Sequence, residues 1–279
     1  MPINPAQQAF LSKLGKNAPR GDLNAELIKK SRQAIADRMY KAADDTDEEL
    51  HDLVGEILSS PELVHAGCKT AYAPLKARDT AQDKVTRDYA GDWYDLKDVV
   101  RMTIVTPSDR IMKVVQAKVR GLFGLGVGRP GLNLIKDIEV IAASDPCGYS
   151  GVNFVVRLSN HRPAEIQVNT PVMIYGKEKE KNSKTILGWK QFFEIKCRFM
   201  IEGGFGHTLY EMYRDDKAGS RGQMAAYLSS RYYNLLRGGF NFQLARELEG
   251  DIKAYMNNPG QYCFKARLAQ NREGTRARR

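Results

Sequence analysis

Three short clusters in this sequence carry the residue types of phosphate chemistry. The first holds Lys76, Arg78, Thr80, Lys84 and Arg87. On a helix Lys76, Thr80 and Lys84 fall at successive steps of four and share a face, with Arg87 close to it. Cations gathered on one side repel one another unless an anion sits among them, and a triphosphate suits that place. A solvated basic face fits the same spacing. The second cluster runs from Tyr94 through Asp95, Lys97 and Asp98 to Arg101. An acid just ahead of a strand, with an arginine entering it, can hold Mg²⁺ beside phosphates. That ion takes few protein carboxylates and fills its shell with water and phosphate oxygens. A structural cap with an ion pair is the competing account.

The third cluster pairs Asp145–Asn153 with Ala164–Pro171. In a strand Glu165 and Gln167 point to one face. Two such polar groups in a core would carry a heavy desolvation cost, so they face a site or solvent. Tyr149 stands between Gly148 and Gly151 in a loop free to bend, which suits a ring presented to a base.

The elements that must position these groups can be read from periodicity. Leu23, Leu27, Ile35 and Met39 mark one helix face from Asp22, a candidate N-cap. Thr46 with Glu49 has the form of a capping box, ahead of an apolar stripe of Leu50, Leu53, Val54 and Ile57. A basic helical stretch is expected between Lys69 and Arg87. Strands are expected at Met102–Val105, Ile138–Ala142, Val152–Leu158 and Ala164–Val168, with an amphipathic helix from Ser108 through Leu122. From Thr185 the pattern turns helical, over Trp189–Phe199, Gln223–Leu236 and Phe242–Met256. The fold class expected is α/β (α+β), a small mixed sheet flanked by helices. The run Gly121, Gly124, Gly126, Gly128 and Gly131 follows a helix and lacks a GK[ST] ending, so it reads as a connector and not as a phosphate loop.

Composition narrows the classes. The chain has 279 residues, 42% hydrophobic and 27% charged, enough for a packed core. No apolar run is long enough to span a bilayer. No conventional secretory signal is visible, which leaves a signal-free secretion route open, and the chain is expected to work in the cytoplasm. The scattered Cys68, Cys147, Cys197 and Cys263, and the isolated His51, His65, His161 and His207, form neither a zinc motif nor a disulfide framework. The net charge of +10 draws polyanions. Part of it sits in Lys265–Arg279, a solvated tail or a nucleic-acid contact.

The order basic helix, KDxxR before a strand, GYSGVN over 148–153 and EIQVNTP over 165–171 resembles the synthetase domain of the RelA/SpoT family, the makers of (p)ppGpp. The resemblance covers roughly Lys69–Lys179, carries no HD-type hydrolase motif, and is nearer to toxin and phage-defence forms than to the long housekeeping enzymes. It implies a nucleotidyltransferase-like core at 69–183, a helical extension at 1–68, and another at 184–279 ending in the basic tail. It further implies a pyrophosphokinase that uses Mg²⁺ and moves the β,γ-pyrophosphate of ATP to the 3′-hydroxyl of a purine nucleotide, giving (p)ppGpp or (p)ppApp. Lys76, Arg78, Thr80, Lys84 and Arg101 would bind ATP, and Asp98 and Glu165 would hold metal. Glu165 would also orient or deprotonate the acceptor hydroxyl with support from Gln167, while Tyr149 and Asn153 would bind the acceptor. Two departures stand out. The family's acid precedes its arginine by five residues whereas Asp98 precedes Arg101 by three, with Asp95 the alternative ligand; and Asn153 replaces a common His. A toxin would call for a neutralising antitoxin or immunity protein. Pyrophosphate transfer to the 3′ end of tRNA, or a non-catalytic RNA- or partner-binding module, are the competing functions.

Overall fold

The computed structural model describes residues 20–124, 128–239 and 241–262. The leader ahead of residue 20, Gly126, Cys263, the basic tail and the side chain of Asp22 lie outside the described residues. Helices α1 (Arg20–Lys41), α2 (Ala43–Leu58) and α3 (Pro61–Ala66) come first. The stripe Leu50, Leu53, Val54 and Ile57 of α2 is buried, as its spacing requires. The capping box expected at Thr46 and Glu49 is not formed, because α2 begins earlier, at Ala43. Thr46 is inside the helix and its hydroxyl donates to the Ala42 carbonyl at 2.6 Å. Glu49 Oε1 instead accepts from the Ser159 backbone N–H at 2.7 Å, tying the helix to a distant turn.

The basic helix expected over Lys69–Arg87 is also corrected. Lys69–Tyr72 is a strand, β1, antiparallel to β2 (Arg101–Val105), and only Arg78–Asp88 is helical, as α4. Pro74 accounts for the break, since it drives the residue before it to extended backbone and lacks the amide a helix interior needs. The strand itself is created by a partner far along the chain, which local spacing does not reveal.

The sheet has strand order β1-β2-β5-β4-β3, with β3 at Asn133–Val140, β4 at Gly151–Arg157 and β5 at Pro163–Asn169. Only β2 and β5 run parallel; the other pairs are antiparallel. The mixed sheet with packed helices expected from the pattern is therefore present. Helix α5 (Asp109–Phe123) leaves β2 under a Ser108 cap, whose hydroxyl oxygen accepts from the Ile111 N–H at 3.4 Å.

Alternation then assigns the two faces. Met102 and Ile104 of β2, Ala164, Ile166 and Val168 of β5, and Phe154 of β4 are buried together with apolar residues of α2 and α5. Arg101 and Thr103, Glu165 and Gln167, and Asn153 take the intervening positions and are half-buried. The helices thus cover one face and leave a polar row on the other.

A second apolar cluster follows the sheet, built by α6 (Pro171–Lys177), α7 (Glu180–Phe199), α8 (Phe205–Asp215), α9 (Ser220–Arg237) and α10 (Phe242–Asn257). Tyr175, Tyr232 and Tyr233 lie at its centre, and their burial pushes all three phenols up. Among the described residues no helix is long and apolar enough to cross a membrane.

Candidate active site

The polar row of the sheet meets α4 at Asp98, just ahead of β2. Its Oδ2 accepts from Lys84 Nζ at 2.8 Å and lies 3.0 Å from Lys76 Nζ. Lys84 comes from α4. Lys76 comes from the extended segment before that helix, fixed by its own N–H donating to the Val99 carbonyl at 3.0 Å. The Tyr40 hydroxyl donates to the Lys76 carbonyl at 2.6 Å. Burial pushes the Asp98 carboxyl up, yet the hydrogen-bonded Lys84 and Lys76 ammonium groups outweigh it and hold the group below its ordinary range. Burial likewise works against the Lys84 ammonium, but Asp98 first and Glu165 more weakly raise it above the usual lysine range.

Asp98 Oδ1 is buried and has no hydrogen-bond partner, and the same holds for Arg101 Nε. Arg101 opens β2 directly opposite Glu165 of β5 in the parallel register. One row therefore joins an unpartnered carboxylate oxygen, an unpartnered guanidinium nitrogen and a second carboxylate. Native interiors rarely leave such groups unmatched, and an ionic ligand would satisfy them.

Glu165 is positioned by a chain of two hydrogen bonds. Gln167 Nε2 donates to Glu165 Oε2 at 2.9 Å, and Lys177 Nζ donates to Gln167 Oε1 at 2.8 Å. Across the sheet Asn153 faces Gln167, and its Oδ1 is a further buried oxygen without a partner. Tyr149 sits at the far end of the row. Its hydroxyl donates to Asn169 Oδ1, its ring meets Tyr233 edge-on at 5.6 Å, and Lys177 Nζ lies 5.8 Å from its centroid. Burial raises its phenol, with Lys177 working the other way. Gly151 makes this contact possible, since a Cβ there would stand 2.5 Å from Asn169 Oδ1 and 2.6 Å from the Tyr149 hydroxyl.

The remaining expected residues lie outside this group. Arg78 pairs with Asp37 of α1 and lies over the Tyr40 ring at 5.3 Å. Thr80 is exposed, with its amide donating to Asp79 Oδ1 at 2.7 Å. Arg87 pairs with its neighbour Asp88. Asp95 is exposed in the 3₁₀ turn Trp93–Asp95, whereas Asp98 stands among the cations. Lys177 was not anticipated, because only the folding of α6 against the sheet brings it to Gln167. Asn169 was within reach of the alternation that singled out Glu165 and Gln167.

Among the described residues no group of three or more His, Cys, Asp or Glu could hold a metal. Two hard carboxylates, one with a buried and unpartnered oxygen, fit Mg²⁺, which keeps most of its shell as water and phosphate. They do not fit a softer ion that demands a closed protein shell.

No family model matches the chain. It is 35% identical over 175 residues to the (p)ppApp synthetase toxin Tas1 of Pseudomonas aeruginosa (strain UCBPP-PA14), a match covering 62% of this chain and 37% of that toxin. This chain thus spans little more than a third of that relative's length. The crystal structure of the type VI effector Tas1 in complex with its immunity protein superposes with a TM-score of 0.59 and 30% identity, covering 75% of this chain and 98% of that one. The small alarmone synthetase 1 of Bacillus subtilis bound to pppGpp is a weaker likeness, at 15% identity and a TM-score of 0.41 over 70% of this chain and 90% of that one.

Proposed function

We propose, from the premise that this chain belongs to the RelA/SpoT-type alarmone synthetases, that it moves the β,γ-pyrophosphate of ATP onto the 3′-hydroxyl of a purine nucleotide. Adenine nucleotides are the favoured acceptors, because the similar toxin is named for (p)ppApp. The observation that carries the reading is the row Asp98, Arg101, Glu165, with its buried charged atoms that lack protein partners.

In this reading Lys76, Lys84 and Arg101 bind the donor phosphates, with Arg78 and Thr80 on the outer rim of α4. Asp98 and Glu165 would hold Mg²⁺, which when bound neutralises charge on the phosphate oxygens. Glu165 takes the proton of the acceptor 3′-hydroxyl as that oxygen bonds to the β-phosphorus. The bond from the β-phosphorus to the α–β bridging oxygen breaks, and AMP leaves with the electron pair. Gln167 keeps the Glu165 carboxylate turned toward the hydroxyl, and Lys177 keeps Gln167 in place. Arg101 and the two lysines balance the charge that gathers on the departing phosphate. Tyr149 stacks on the acceptor base and Asn153 offers its free oxygen to the acceptor.

The biological reading is a toxin that drains ATP in the cytoplasm of a target cell and is held in check by an immunity protein, as the complex of the similar effector supports. The test is to incubate the purified chain with γ-labelled ATP, Mg²⁺ and, separately, ADP, AMP, GDP or deacylated tRNA. Label on a mononucleotide that vanishes with Glu165→Ala is the expected result. Label on tRNA alone would move the reading to the tRNA 3′ end, and label on nothing would end the enzymatic reading.

A further inference from the structure

No step above uses the outward face of α7, where one of the chain's two tryptophans stands. Trp93 is buried, whereas Trp189 is 64% exposed. Helix α7 is broken at Gly188, whose φ of 76° and ψ of 156° are non-helical. A φ of that sign favours glycine, and no atom crowds the place where a Cβ would stand, so the glycine serves the break and not close packing. Trp189 opens the segment beyond the break. Phe193 follows it four residues later on the same face, while Phe192, Ile195 and Phe199 turn inward to the second apolar cluster.

The two outward rings are stacked, with 5.4 Å between centroids and 21° between planes, and Phe193 is exposed as well. Lys184 Nζ lies 4.4 Å from the Trp189 centroid and 5.6 Å from that of Phe193. A lone exposed ring is ordinary on a protein surface. A stacked pair beside an ammonium group is a different object, since it offers a flat π face and a cation at one place. The rest of α7 adds to the charge. Lys181, Lys184, Lys190, Lys196 and Arg198 stand against Glu180 and Glu194. Glu180 pairs with Lys184, and among the described residues the exposed Lys181 and Lys190 take part in no salt bridge. Cations without a counter-charge draw an anion.

Size and charge together select the occupant. A stable protein interface takes about 800 Å² from each partner around an apolar core. A whole aromatic side chain has about 150–250 Å², so two part-exposed rings offer well under ~400 Å². A second copy of this chain would also bring the same surplus of cations against itself. A run of bases needs only a ring or two to stack on, and its phosphates take the lysines.

We infer that this face of α7 binds single-stranded RNA, with bases stacked on Trp189 and Phe193 and phosphates on Lys181 and Lys190. The surface does not rest on the function proposed above. Only the choice of RNA over single-stranded DNA does, through the cytoplasmic setting.

The test follows Trp189 fluorescence in the full chain as an oligouridine of about twelve nucleotides is added. A pyrimidine probe avoids a purine acceptor site, and the burial of Trp93 makes quenching a report on Trp189. Anisotropy of the labelled oligomer gives the affinity of variants that lack that tryptophan. The unvaried chain should be quenched to saturation. W189A/F193A should weaken the oligomer roughly tenfold or more, and W189F should keep most of the affinity. K181A/K190A should weaken it and flatten its dependence on salt. E165Q should bind as the unvaried chain does. Matching thermal midpoints would show that the variants fold. Unchanged affinity in W189A/F193A would overturn the inference, and so would the absence of binding by the unvaried chain. Duplex RNA held as tightly as the single strand would remove stacking and overturn it too. Polyglutamate that displaced the oligomer at equal charge would give the face to an acidic protein instead. Oligodeoxythymidine held more tightly than oligouridine would overturn the choice of RNA. Self-association in sedimentation that W189A/F193A abolished, with no RNA uptake, would give the face to a second copy. If no acceptor is ever labelled but oligouridine still quenches Trp189, the proposed function fails and this surface stands.

Discussion

Arg101 and Glu165 face each other across the only parallel strand pair of the sheet, each at a half-buried position on the face the helices leave open. The register sets opposite charges on neighbouring strands, and Arg101 Nε keeps a buried hydrogen-bond donor without a partner. Glu165 is held from the other side by Gln167. It is therefore a carboxylate with a fixed orientation and one free direction, which is the requirement on a general base.

Replacing Glu165 with Gln separates that role from structure. The amide keeps an oxygen for Gln167 Nε2 and the same volume, so the thermal midpoint should stay within a degree or two of the unvaried chain. It cannot take a proton, and transfer should fall by roughly 10²–10⁴-fold. A large drop in the midpoint together with the loss of transfer would show instead that Glu165 is structural.

Asp98 makes the opposite prediction. Its carboxylate, only 13% exposed, is the counter-charge to Lys76 and Lys84. Asp98→Asn leaves two ammonium groups converging on a neutral amide, and breaking such a buried pair costs about 3–5 kcal/mol. Denaturant unfolding should show that loss.

The pH dependence of that difference follows from the two shifts. Asp98 is held below the ordinary 3.8, so its contribution is complete above that value and fades as pH falls through the lower folded value. Lys84 is held above the ordinary 10.5, so its contribution is complete below that value and fades as pH rises through the higher folded value. The stability gap between the unvaried chain and Asp98→Asn should be flat through neutral pH and narrow at both extremes. A gap that changed steeply between pH 5 and 8 would mean a different group controls it.

How much of this was open to reading follows from the same residues. Alternation in one short strand was enough to place Glu165 and Gln167 on one face, and helical periodicity gave the stripes of α2 and α5. Helical spacing also grouped Lys76 with Lys84, and the two do meet at Asp98, though by another route. A strand and an extended turn bring Lys76 in, while Arg78, grouped with them, turns to Asp37 of α1. Lys177 carried no local signal at all. Its place depends on how α6 packs against the sheet, and that is decided by contacts distant in sequence.

Gly151 is a point where backbone room sets the site. Gly151→Ala would place a methyl group against both Asn169 Oδ1 and the Tyr149 hydroxyl, neither of which is the loose end of a long side chain. The Tyr149 ring would have to move, freeing the nearly fully buried Asn169 of its partner. The expected outcome is a loss of about 1–3 kcal/mol from overpacking and a raised KM for the acceptor nucleotide. A donor KM that rose in parallel would mean that Tyr149 does not serve the acceptor.

Lys177 tests whether the hydrogen-bond chain has a catalytic purpose. Lys177→Met keeps the length and apolar stem of the side chain and removes the ammonium that donates to Gln167 Oε1. Gln167 is then free to turn its amide, and the carboxylate it steadies can rotate away from the acceptor hydroxyl. Misplacement of a general base costs rate more than binding, so kcat should fall roughly tenfold or more while the KM for ATP stays close to that of the unvaried enzyme. Gln167→Leu breaks the same chain one link nearer to Glu165 and should fall at least as far. The double variant should then be little worse than Gln167→Leu alone, because the two residues act in series. Losses that simply multiplied would mean that Lys177 contacts the reacting groups directly, as its position near the Tyr149 ring would also permit.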